Sequence, residues 1–532
     1  MADDPRATPS AWSRRRLLTA AGAAGGSAAV YRLGLVLGLI PDIASAERPT
    51  LAPASRKCSV AILGAGISGL VAAYELSRAG YDCTVLEASH RAGGRNLTLR
   101  HGDAVDELGA PQVCPFDADP DLYMNAGPAR IASSHARLLE YCRELGVALS
   151  PFVNDNHYAW VQDDAMFAGK PVRIREYVTD ARGFIAELLA KGLAAHRLDS
   201  GLDAEDADKL LQFMRAYGDL DEKLLYKGSS RAGLASDSLV APPELKGVLD
   251  FRELLKASFW RYNMHFAEGE DQAPMLMEPV GGMDKIVDGF MAKVGARVKL
   301  NAQVESVMTR DDAVDVVYRD GRERKQLTAS YCLNCIPMHI LAGIRHNFPP
   351  EYAGAFTEIQ RGKLFKLGLQ SRERFWEREG IYGGISWTSQ PITQIWYPAH
   401  GIHRQKGVLL GAYSFEKGIG DRFSRLTPAE RVEFGIAQGE KIHADYRKHI
   451  ECGVGVAWHQ MNHILGCAPE WNRELYLKWF ARLQAPEGNH YLIGDQLSLN
   501  PGWQEGAVQS AQWAIADLDR RERARTERGA TA

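Results

Sequence analysis

The chain has 532 residues, 45% of them hydrophobic, which is enough apolar material for a large buried core spread over two or three subdomains. Its 63 Lys and Arg nearly balance 66 Asp and Glu, leaving a formal net charge of -3. That balance gives no basic field, so nucleic acid is excluded as an expected partner.

The first stretch reads as an address label. Ser13, Arg14, Arg15, Arg16, Leu17 and Leu18 form a twin-arginine pattern, followed by a weakly hydrophobic Ala/Gly-rich run and the A-x-A site Ala44-Ser45-Ala46. A membrane span needs about 20 strongly apolar residues, whereas this run is mostly Ala and Gly and carries Arg32. The expectation is a removed signal over residues 1–46, a mature chain beginning at Glu47, no lasting membrane anchor, and a periplasmic or secreted product.

Val60 to Glu87 is the stretch around which the rest is organised. An apolar run, Val60–Leu63, predicts a strand buried on both faces; Gly64, Gly66 and Gly69 follow in G-x-G-x-x-G spacing; Leu70, Ala73, Tyr74 and Leu76 mark a helix ending at Gly80. Cys83–Leu86 is a second strand, closed by Glu87, 18 residues after Gly69. Gly64 permits the tight turn, Gly66 lets backbone approach a pyrophosphate, Gly69 lets helix and strand pack closely, and Glu87 can accept from ribose hydroxyls. Glycines alone are weak evidence. The full strand, turn, helix, strand, acid context predicts a dinucleotide site.

The next segment, A-S-H-R-A-G-G-R, sets Gly93, Gly94 and Arg95 just after the ribose acid, and a fixed guanidinium beside glycines suits a diphosphate and an isoalloxazine edge. With these motifs the chain resembles the flavin amine oxidase family, and more closely its L-amino acid oxidase branch. The resemblance implies FAD as cofactor and an α/β fold: a Rossmann-like FAD domain, a mixed-sheet substrate domain and a helical insert. It also fits the export signal, because the twin-arginine route moves proteins that have folded and taken up a buried cofactor.

Further motifs follow in the family's order. In V-D-E-L-G-A-P-Q, Gly109 and Ala110 are small enough for backbone to touch a flat ring. In N-A-G-P-A-R-I, the resemblance assigns Arg130 to the substrate carboxylate, which a guanidinium fork matches bidentately. Ser134 to about Arg261 has helical spacing (Leu138, Cys142, Leu145; Phe184, Leu188, Leu193). At P-V-G-G-M-D-K-I a helix opens, and the resemblance has Val304, in the following strand, offer its backbone to adenine. Strands are predicted over Ala313–Tyr318 and near Tyr331, where Cys332 and Cys335 form a lone C-x-x-C without the partners a zinc site needs. The eight cysteines are expected as mostly free, buried thiols.

Lys363–Gln370 alternates as a strand, with Phe365, Leu367 and Leu369 on one face and Lys366 on the other. Pattern alone reads Lys366 as an edge-strand lysine. The resemblance implies instead a lysine that holds water against the flavin. Strands Thr393–Tyr397 and Gly407–Phe415 flank it, and the resemblance gives Tyr397 of I-W-Y-P a hydrogen bond to the substrate carboxylate and one wall of an aromatic box. In the closing motif, Tyr491–Ala511, a buried strand ends at Gly494-Asp495 and a helix opens after Gly502, its N-terminus suited to negative charge. The resemblance makes Trp503 the second wall, places Gly502 beside the substrate, and adds Ile67, Ser68, Ala88, Gly127, Ala129, Gln504 and Ala507 to the cofactor contacts. Asp495 stands where the family usually has Glu.

The expected domains are 55–115, 275–335 and 485–519 for FAD, 116–133 and 336–484 for substrate, 134–274 as the helical insert and 520–532 as a charged tail. The implied reaction is oxidation of a free L-amino acid by dioxygen to a 2-oxo acid, ammonia and hydrogen peroxide, with Arg130, Tyr397, Lys366 and Trp503 as site residues. An L-amino acid 2-monooxygenase and an amine or polyamine oxidase are the alternatives, and the flavin-free GDP-dissociation-inhibitor relatives of the fold a third. Glu278, Trp260, Trp458 and Met264 are candidates for side-chain selection. No spacing selects among substrates or decides whether the chain forms a homodimer.

Overall fold

The computed structural model describes residues 48–54, 58–195, 201–236, 240–257, 265–415 and 418–530, the side chains of 528–530 excepted. The twin-arginine pattern, the A-x-A site, Trp260 and Met264 lie outside the described residues. Among the described residues, no helix is long and apolar enough to cross a membrane. None of the eight cysteines forms a disulfide, and five of them are buried.

The chain forms two compact units, each from separated segments: residues 1–91, 294–360 and 468–532 make the first, and 92–293 and 361–467 the second. These divisions differ from the expected domains. Residues 92–115 and 275–293 belong to the second unit, and 336–360 and 468–484 to the first.

The first unit is built on a five-stranded sheet in the order 298–299, 82–86, 59–63, 331–334, 490–492, with every pair parallel. Ser59–Leu63 is central, and Val60, Ala61, Ile62 and Leu63 are all buried, as a strand covered on both faces requires. A second, four-stranded sheet (323–329, 314–320, 302–309, 345–346) shares its core: Val304, Val307 and Val316 pack with Ala61, Leu63 and Leu86. Between these sheets Asn301, with a φ of 56°, turns the chain from Val298–Lys299 into Ala302–Thr309.

The helix Gln504–Ala530 packs on the helix Ile67–Arg78. The expected tail is therefore helical through residue 530. Polar anchors hold it: Tyr81 donates to Asp519 at 2.9 Å and Arg521 to the Tyr491 hydroxyl at 2.9 Å.

The second unit carries a seven-stranded mixed sheet in the order 172–173, 160–162, 385–388, 394–396, 407–414, 365–371, 450–457. Phe365–Ser371 runs antiparallel to both neighbours. Phe365, Leu367 and Leu369 face a core with Phe423, Ile436 and Tyr446, so the predicted alternation of this strand is observed. The region 134–274 is not wholly helical. It supplies helices Ala136–Glu144, Ile174–Ala194, Ala204–Gly218 and Phe251–Lys256, but also strands Trp160–Gln162 and Val172–Arg173 of the large sheet and Leu149–Phe152, which pairs with Leu276–Pro279. Within this unit a fully buried ion pair, Arg431 to Glu107 at 2.6 Å, ties the V-D-E-L-G-A-P-Q segment to the sheet, since Glu107 also accepts from the Ala457 N–H.

Candidate active site

In the first unit, the glycine turn does three separate things. The Gly64 N–H donates to Leu86 O at 2.8 Å while its φ of +102° makes the turn, a conformation that favours glycine. At Gly69 a Cβ would lie 2.1 Å from Gly64 O, so any side chain would push helix from strand. At Gly66 the opposite holds: a Cβ would meet nothing within 4 Å. Gly66 is also the N-cap of Ile67–Arg78, with no side-chain cap, so Ile67 and Ser68 open a first turn suited to an anion. Glu87, buried, accepts from the Ala65 N–H at 2.7 Å and from the Ser89 N–H at 2.9 Å, with Ala88 between. This cradle, bare of side chain where a phosphate would approach and acidic one strand away, fits the adenine dinucleotide end of FAD.

The closing motif lies in the same unit. Gly494 has a φ of +114° and its N–H donates to Ser510 at 3.1 Å. Asp495 is buried, and its Oδ2 accepts from the Gly502 N–H at 2.9 Å. The shorter acid thus fastens its own loop to the start of the helix, a contact that the family's longer Glu did not suggest. Trp503 stands half-buried at the loop-helix junction, ahead of the buried Gln504 and Ala507.

The second unit brings a compact set of groups to one face of its large sheet. Lys366, 2% exposed, donates to Asn125 O at 3.1 Å and to Gly127 O, and its Nζ lies 4.6 Å from the centre of the Tyr413 ring. Lys366 and Tyr413 are direct cross-strand partners, which is why they share a face. Burial, and then the nearby Arg130 cation, hold the Lys366 amine down at about 7. Pattern alone made Lys366 an edge-strand lysine; the strand is interior and the amine is buried.

Arg130 lies over the Trp396 ring, its Cζ 4.9 Å from the ring centre, beside Tyr413. Burial lowers the affinity of Arg130 for its proton, and Tyr413 opposes that. Its Nε and an NH2 hydrogen both donate to Gln272 Oε1, at 3.0 and 2.6 Å. Next to it, Gly127 is required by packing, because a Cβ there would lie 1.8 Å from Arg95 O. Arg95 donates to Cys467 O at 3.0 Å, Ala129 is buried, and Gly109, with φ +78°, and Ala110 follow the anchored Glu107.

Tyr397 is not part of this set. Its hydroxyl lies 2.7 Å from both Ser386 Oγ and His443 Nε2, with His443 bonded in turn to Glu379 at 2.9 Å, and burial raises it well above the ordinary phenol range. The reason is parity: adjacent residues project to opposite faces of a strand, and Trp396 takes the Arg130 face. Tyr413, whose ring centre lies 5.1 Å from that of Trp396, is the tyrosine beside the fork. Trp396, Tyr413 and Gln272 were therefore missed. Tyr413 had one usable signal, since it lies in a predicted strand flanking Lys366. Of the side-chain selection candidates, Trp458 is buried and braces the Ala126 carbonyl at 2.8 Å, while Glu278 pairs with His400 at 3.2 Å.

The chain is 29% identical over 485 residues to an L-amino-acid oxidase of Gloydius halys, covering 87% of this chain and 89% of that one. It is 28% identical over 494 residues to an L-amino-acid oxidase of Bothrops pauloensis, covering 88% and 91%. Among solved structures, putrescine oxidase bound to putrescine is similar at a TM-score of 0.59 and 21% identity, covering 87% of this chain and 99% of that one. The cyclohexylamine oxidase of Brevibacterium oxydans gives 0.59 and 17%, covering 88% and 99%. These structures share the fold. Residues 67–517 match the family described as flavin containing amine oxidoreductase, and the chain belongs to that family, with FAD as its cofactor.

Proposed function

We propose that the enzyme oxidises free L-amino acids at Cα, with dioxygen as the final acceptor, to give a 2-oxo acid, ammonia and hydrogen peroxide. The observation that carries this reading is the buried Arg130 fork, stacked on Trp396 beside Tyr413, next to a lysine whose amine is held down at about 7. An amine without a carboxylate needs no such cation, and a second positive charge there would repel it. The sequence relatives named above are L-amino-acid oxidases, which supports the same substrate class.

In this reading Arg130 and the Tyr413 hydroxyl bind the substrate carboxylate, which fixes one face of Cα and makes the reaction enantioselective by geometry. FAD, when bound, supplies the two-electron acceptor that dioxygen then regenerates. The substrate amine must be neutral before hydride leaves Cα, and Lys366, near half-protonated at pH 7, is the group placed to hold a proton or a water there. The imino acid takes up water to release ammonia. The twin-arginine pattern ahead of the fold supports export of the loaded enzyme.

The test is a peroxide-coupled screen of L-amino acids, their D-forms and decarboxylated amines, with ammonia and amide measured alongside. The expected result is peroxide and ammonia from L-forms only; amide in their place would assign a monooxygenase. Loss of two charge-assisted hydrogen bonds in Arg130→Ala should raise KM on the order of 100-fold or more while flavin stays bound. Normal turnover of amino acids by that variant would refute the assignment.

A further inference from the structure

Arg130 presents its guanidinium in only one way, and a residue outside the reactive face determines which. A guanidinium has two edges that can grip a carboxylate: the side edge made by Nε and one NH2 hydrogen, and the end edge made by the two terminal nitrogens. In this structure the side edge is taken, because Gln272 Oε1 accepts from both Nε and NH2. The acceptor is neutral, so it satisfies these donors without cancelling the charge. Gln272 is itself held from several directions. Its N–H donates to Gly269 O at 2.8 Å, its carbonyl accepts from Asn154 Nδ2 at 2.8 Å, and the preceding Asp271 bonds His135 Nε2 at 2.9 Å. His135 is 1% exposed and Asn154 4%, so the brace rests on the interior of the unit.

We propose that Gln272 is a positioning residue: by holding the side edge of Arg130 it sets the direction in which the guanidinium, beside Tyr413, meets a carboxylate. The proposal rests on the assignment of Arg130 to the substrate carboxylate. It makes the choice of a neutral amide meaningful: a carboxylate at position 272 would fill the same two bonds and also consume the charge, acting as a built-in competitor. An apolar side chain would leave the charge of the fork intact but let the guanidinium turn about its last bonds.

Three forms of the flavin-loaded enzyme separate these effects: wild type, Gln272→Leu and Gln272→Glu. In each, binding of benzoate is followed by the change in flavin absorbance, KM and kcat are measured for the best L-amino acid, and flavin content is determined. Loss of orientation in Gln272→Leu should raise the benzoate Kd and the amino acid KM about tenfold, with kcat changed less than about threefold. Both kcat and flavin content should be kept, whereas a merely structural lesion would lower both. In Gln272→Glu the benzoate Kd should rise further, because the new carboxylate pairs with Arg130, keeps its charge through the assay range and competes with the ligand. Benzoate binding unchanged in Gln272→Leu, or as tight as wild type in Gln272→Glu, would overturn the proposal. Should wild type oxidise no amino acid yet bind benzoate in this pattern, the role of Gln272 would stand while the substrate reading fell.

Discussion

Tyr413 and Tyr397 differ in which face of one sheet they occupy, and that difference is measurable. Tyr413→Phe removes a hydroxyl beside a charged fork, and the expected result is a KM for amino acids about tenfold higher with the fold intact. Tyr397→Phe removes a hydroxyl shared by Ser386 and His443 in the interior. It should leave KM unchanged and lower stability by about 1–3 kcal/mol, read by denaturant unfolding. Lys366 carries a separate prediction in pH. Its amine is held down at about 7, so the neutral form prevails above that pH and the charged form below it. If the neutral amine is the active form, kcat/KM should rise through an ionisation near 7 that Lys366→Met lacks. A substrate carboxylate on Arg130 offsets part of the cation that depresses Lys366, so the corresponding ionisation in kcat should lie higher than in kcat/KM.

The glycine turn shows how an element divides fold from function. At Gly69 an added methyl would meet backbone at 2.1 Å, while at Gly66 it would meet nothing. Gly69→Ala should therefore lower the melting temperature with or without flavin. Gly66→Ala should melt normally once stripped of flavin but bind FAD about tenfold or more weakly, since 1.4 kcal/mol of lost approach suffices. This turn was legible in the sequence because its parts are local and each glycine has one mechanical reason. Alternation over a long strand gave the face of Lys366 but read it as an edge-strand lysine, and only the resemblance pointed to the site. The neighbouring tyrosines were not legible. Gln394–Trp396 is buried on both faces, so hydropathy does not say whether residue 396 or 397 looks toward the substrate. Gln272 carried no pattern at all, since a polar residue in an irregular segment reads as solvated until its partner is seen.

At the scale of the molecule, the alternation of nucleotide and substrate segments along the chain was readable, but the division points were not. Short strands such as Trp160–Gln162 and Val172–Arg173 sit inside a region of helical spacing; the first joins the large sheet through a partner more than 200 residues away, and the second joins it through the first. The same long-range dependence has a consequence for synthesis. The five-stranded sheet takes its last strand from His490–Leu492, and the helix that covers its first helix from Gln504–Ala530. A nascent chain emerging from the ribosome thus holds the glycine turn for more than 400 residues before the edge strand that completes its sheet exists. Cofactor capture is in this way deferred until translation is almost finished, and a truncated polypeptide stalled before residue 490 has no finished cradle to fill.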